Sequence, residues 1–118
     1  MKVLVVEHRQ VAGFIVQGLR DDGHAVDLVS DADGALALGL SGEYDLILLA
    51  VVLPGRDGVA VASQLRRAGR STPILLLTSG DHNADQFVRD AKADGYVAKP
   101  FPFDALLERV RELEQRGA

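Results

Sequence analysis

Short apolar runs and amphipathic stripes alternate along the whole chain. Tyr44–Gly58 (YDLILLAVVLPGRDG) shows the pattern best. Leu46–Leu49 is unbroken apolar sequence, Val51, Val52 and Leu53 extend it past Ala50, and Pro54-Gly55 and Asp57-Gly58 cut it off. Such a run, closed by turn residues, reads as a strand buried on both faces, here Asp45–Ala50. Lys2–Val6 (KVLVV) is a second strand of this kind. Thr72–Leu77 (TPILLL) is another, its proline at the start, where the ladder tolerates it. His24–Val29 carries a polar interruption at Asp27, which suits a sheet edge, and Gly95–Ala98 is a short last strand.

Between the strands the period changes. Val11, Phe14, Ile15 and Leu19 recur at helical spacing, as do Leu36 and Leu40, and Val61, Ala62 and Leu65. Ala84, Phe87, Val88 and Ala91 form a compact stripe that reads as ordinary core. Phe103, Leu106, Leu107, Val110 and Leu113 mark an amphipathic terminal helix, expected to fray after Glu112. Asp22-Gly23, Gly42 and Gly69 stop the first three helices. Ser30-x-x-Asp33 resembles a capping box for the second, and Asp57 can cap the third. Strict β-α alternation, five times over, implies a parallel sheet with helices on both faces and right-handed crossovers. The expected fold is a three-layer, doubly wound, flavodoxin-like α/β domain with strand order 2-1-3-4-5.

Composition narrows the functions. At 118 residues the chain makes one domain, with 47% hydrophobic and 25% charged residues as in globular proteins. A net charge of −4 provides no basic face for nucleic acid, so DNA binding would need another domain. With no cysteine, disulfides, thiolate metal sites and a cysteine nucleophile are excluded. Neither a signal peptide nor a run of membrane-spanning length is visible, so a cytoplasmic protein is expected.

In open parallel sheets, chemistry gathers beyond the carboxyl ends of the strands. Those ends deliver Glu7 and His8, then Ala50, then Thr78 and Ser79, then Lys99 followed by Pro100. The residue on the most buried strand is Ala50, which has no chemistry. His8 is a lone histidine, with His24 and His82 at other strand or helix starts, and reads first as a loop residue. Asp57 reads first as a helix cap, and Pro54-Gly55 and Asp57-Gly58 as loop geometry. Lys99 is expected to pair with Glu7. No glycine-rich phosphate loop follows the first strand, which disfavours a nucleotide-binding enzyme.

VLVVE near the start, YDLILL-A-VVLPGRDG, ILLLTS and GYVAKPF together resemble the receiver domain of bacterial two-component response regulators. The resemblance covers essentially the whole chain, residues 1–118, and is closest to the OmpR/PhoB type. In that type a winged-helix DNA-binding domain follows the receiver. The resemblance implies a non-enzymatic signalling module. In it a histidine kinase phosphorylates an aspartate at the end of strand 3, two acids after strand 1 help hold Mg²⁺, and a hydroxyl and a lysine hold the phosphoryl group. Glu7 matches the first acid, Thr78 the hydroxyl, Lys99 the lysine, and Tyr96 the aromatic that moves with signalling state. His8 stands where the second acid belongs, and Ala50 where the phosphoacceptor belongs. The resemblance therefore implies an atypical receiver without phosphorylation or Mg²⁺ binding. It also implies a homodimer through helix 4, strand 5 and helix 5. Asp94 and Arg109 match part of that face, while Gly95 replaces a usual acid. A small-molecule ligand in the crevice, with Ala50 opening space for it, and a stand-alone adaptor role are the alternatives. No membrane partner is expected.

Overall fold

The structure, a computed structural model, describes residues 1–79 and 83–116. His82 lies outside the described residues. In chain order the elements are β1 (Lys2–Val6), α1 (Arg9–Asp21), β2 (Ala25–Val29), α2 (Ala32–Leu40), β3 (Leu46–Ala50), β4 (Val52–Leu53), β5 (Arg56–Asp57), α3 (Gly58–Arg67), β6 (Ile74–Thr78), α4 (Ala84–Ala91), β7 (Gly95–Ala98) and α5 (Phe103–Arg116). The main sheet is parallel throughout, in the order β2-β1-β3-β6-β7. Leaving out the β4–β5 hairpin, this is the expected 2-1-3-4-5 order of a flavodoxin-like fold. Every residue of β3 and β6 is buried, as the apolar runs Leu46–Ala50 and Ile74–Leu77 require, with the polar Thr78 buried at the end of β6.

Alternation along the strands divides the core in two. Leu4, Ile47, Leu49, Ile74 and Leu76 pack with α2, α3 and α4 residues on one face. Val3, Val5, Leu46, Leu48, Leu75 and Leu77 pack with α1 and α5 residues on the other. At Gly18 the α1–α5 contact is so close that a Cβ would lie 2.5 Å from the Phe103 ring. The polar interruption in β2 has a partner. The Tyr44 hydroxyl donates to Asp27 Oδ2 at 2.6 Å. Burial, then the bonded Asp27 carboxylate, push the Tyr44 phenol up to about 12, so it remains a donor at neutral pH.

Several boundaries differ from the expected ones, each for a local reason. The cap of α2 is Asp31 rather than Ser30, its Oδ1 accepting from the Gly34 N–H at 2.6 Å. His24 lies outside β2, because its N–H donates back to Leu19 O and closes α1. Asp45 precedes β3 and accepts the Lys2 N–H on its side chain at 2.8 Å. Thr72 and Pro73 precede β6, which instead runs on through Thr78. Nor does α5 fray at Glu112. Leu113 is buried against the α1-side core, and the helix continues to Arg116. The β4–β5 hairpin, turning at Pro54-Gly55 with Gly55 at φ +73°, occupies what reads in sequence as plain loop. Among the described residues no helix is long and apolar enough to cross a membrane.

Candidate functional site

Because β1, β3, β6 and β7 are neighbours in register, their carboxyl ends lie side by side. Glu7, directly after β1, is 2% exposed. Its Oε1 accepts the His8 N–H at 2.8 Å, and its Oε2 is ion-paired with Lys99 Nζ. A buried carboxylate is costly unless paired and hydrogen-bonded, and Glu7 is both. Lys99 follows β7. Its N–H donates to Thr78 O at 2.8 Å, its side chain is 30% exposed, and the Lys99–Pro100 bond is cis. Thr78 ends β6 fully buried, and among the described residues its hydroxyl has no hydrogen-bond partner. Ser79 beside it is exposed.

Ala50 ends β3 at 1% exposure and belongs to the core cluster on the α2–α4 face. Among the described residues it is enclosed rather than exposed. The start of α3 presses on the same strand end. A Cβ on Gly58 would lie 1.9 Å from Ala50 O, so only glycine fits. Asp57 is the N-cap of α3, its Oδ1 accepting from the Val59 N–H at 2.8 Å. His8 is exposed and occupies the N-cap of α1 without a side-chain capping bond.

This donor set does not fit Mg²⁺, which requires near-octahedral oxygen coordination. Both oxygens of Glu7 are engaged, His8 offers nitrogen, and Ala50 offers no side-chain donor. Among the described residues no three His, Cys, Asp or Glu side chains gather as a metal site.

The other sequence-selected residues lie away from this edge. Tyr96, on β7, is half-buried against the core cluster of the α2–α4 face. Asp94, just before β7, is committed within its own molecule. Its Oδ2 accepts the Ile74 N–H at 2.8 Å and lies 3.2 Å from Arg66 Nη2. Arg109, on α5, lies over Gly95, where a Cβ would be 2.3 Å from its Nη2, and its Nε is 3.5 Å from Glu112 Oε2. Asp94 and Arg109 thus each have partners in their own chain. Sequence reading missed the exposure of Phe14. It fits a core stripe by spacing, yet is 50% exposed and meets Phe101 with ring centroids 5.9 Å apart.

Residues 3–111 match the response regulator receiver domain. The chain belongs to this family. The receiver is 40% identical over 119 residues to the transcriptional regulatory protein TcrA of Mycobacterium tuberculosis, covering 99% of this chain and 47% of that protein. It is 43% identical over 113 residues to the transcriptional regulatory protein DltR of Streptococcus agalactiae, covering 94% of this chain and 50% of that one. The chain thus spans about half the length of these curated relatives. Among solved structures, the Francisella response regulator 1452 receiver domain superposes with a TM-score of 0.91 at 30% identity, covering 99% of this chain and 98% of that one.

Proposed function

We propose that this receiver signals without being phosphorylated and serves as the regulatory domain of a longer transcription regulator, in which a separate domain binds DNA. Ala50 carries the reading. It stands at the end of β3, the position that the family resemblance assigns to the phosphoacceptor, and it has no side-chain oxygen. His8 in place of the second acid removes a further oxygen ligand. The Glu7–Lys99 ion pair supports the same reading, because both charges already have their partner without metal or phosphate. The transcriptional regulators matched over their receiver halves support the second half of the proposal.

A thermal-shift experiment tests the loss of the metal site. Neither millimolar Mg²⁺ nor Mg²⁺ with beryllofluoride should raise the melting temperature, since a ligand that binds only the native state must do so. A clear rise with either would overturn the reading.

We propose further that the output is homodimerisation through α4, β7 and α5, with no phosphodonor required. The family resemblance places Asp94 and Arg109 on this face, and each also has a charge partner within its own chain. Light scattering should find a dimer in untreated protein, weakened by Arg109→Glu. A monomer at high concentration would contradict the assignment.

A further inference from the structure

Of the nine residues of α2, ADGALALGL, Asp33 alone is polar. Ala32, Ala35, Leu36 and Gly39 are buried and make its inner face. The outer face is left to Asp33, Gly34, Ala37, Leu38 and Leu40. Leu40 is 37% exposed, when most large apolar side chains of the described residues are buried. A surface helix normally carries charged residues opposite its apolar stripe, and one that is apolar all round is normally covered. The other long helices follow that rule, presenting Arg20, Arg67, Arg89 and Glu108 to solvent.

The two ends of this face carry opposite charges. Asp33, in the first turn, is exposed, with neither a hydrogen bond nor an ion pair among the described residues. Asp31 beside it is committed to the Gly34 N–H, and Arg56, which shares a cleft of about 220 Å³ with both acids, pairs with neither. At the other end the exposed Arg70 donates to Leu40 O and lies against Gly42, where a Cβ would be 2.7 Å from its Nη1. Arg70 has no carboxylate partner among the described residues.

An unpaired anion at one end and a cation without a carboxylate at the other select a second copy in the opposite direction. A two-fold axis near Ala37 sets two α2 helices antiparallel, so that Asp33 of each copy meets Arg70 of the other. A parallel pair would oppose Asp33 to itself. The small side chains at Gly34 and Ala37 let the helix axes approach to about 8 Å. We propose that α2 is a self-association face, on which two copies pair antiparallel through Ala37 with an Asp33–Arg70 ion pair at each end. Because α3 packs between α2 and α4, this face is separate from that of α4, β7 and α5, and the assignment does not depend on it.

The chain has no cysteine, so single introduced ones report which surfaces meet. Ala37→Cys lies near the axis, and Gln17→Cys, on exposed α1 surface, is the control. Under mild oxidation Ala37→Cys should form a disulfide-linked dimer about tenfold or more faster than the control, because facing Cα atoms in so close a pair fall within disulfide range. Adding Asp33→Lys should slow this cross-link about tenfold, the effect of turning two exposed ion pairs into repulsions. Adding Arg70→Glu to that variant should restore it, with circular dichroism checking that each variant is folded. Cross-linking at Ala37→Cys no faster than at Gln17→Cys, a rate that Asp33→Lys leaves unchanged, or no recovery in the folded charge-reversed variant would each overturn the proposal.

Discussion

His8→Asp combined with Ala50→Asp should convert the receiver into one that accepts a phosphoryl group from acetyl phosphate when Mg²⁺ is present. Ala50→Asp alone should be labelled poorly. It supplies an acceptor oxygen next to Thr78 and Lys99, but phosphoryl transfer also needs a metal to neutralise developing charge. His8→Asp alone restores part of the metal site without an acceptor. The two effects should be strongly non-additive, because the two carboxylates share one ion. Without Mg²⁺ the double variant should be less stable than the unmutated protein. Two carboxylates about 5 Å apart repel by roughly 3 kcal/mol at an effective dielectric near 20. The carboxylate introduced by Ala50→Asp must also enter a position that is 1% exposed. Mg²⁺ should return the electrostatic part of that loss. Mass spectrometry of the four proteins, with and without the metal, measures the labelling. Equal labelling of Ala50→Asp and the double variant would show that His8 is not the block.

Lys99→Met should destabilise the receiver by about 3–5 kcal/mol at neutral pH, the usual result of removing one partner of a buried ion pair. Glu7 would keep its His8 N–H bond but lose its only charge partner among the described residues. Adding Glu7→Gln to Lys99→Met should recover much of the loss, since no unpaired charge then remains. Urea unfolding of the three variants gives these differences. A cost below about 1 kcal/mol for Lys99→Met would mean that the pair behaves as a solvated surface bridge instead.

The fold was legible because its strands are extreme in composition. LILLA and ILLL can hardly be anything but strands buried on both faces, and the β-α alternation then leaves few topologies open. The carboxyl-edge residues were legible for the same reason, since each directly ends or follows such a strand. Local capping was less so. Asp31 and Ser30 both suit an N-cap by residue type, and it is the Asp31 side chain that accepts the Gly34 N–H. The β4–β5 hairpin was hidden because two paired residues on each side are too few to make a pattern. Phe14 was misjudged because spacing locates a helix face without showing whether its border is covered. The contacts of Asp94 within its own chain, to Arg66 and to the start of β6, could not be read from sequence because they join elements far apart along the chain.

Incubating the unmutated receiver with acetyl phosphate and Mg²⁺ and then measuring its intact mass tests the central claim most directly. No phosphoryl adduct should form under conditions that label the His8→Asp, Ala50→Asp variant. A stoichiometric adduct on the unmutated protein, for instance at Asp57 beside the same strand end, would contradict a receiver that works without phosphorylation.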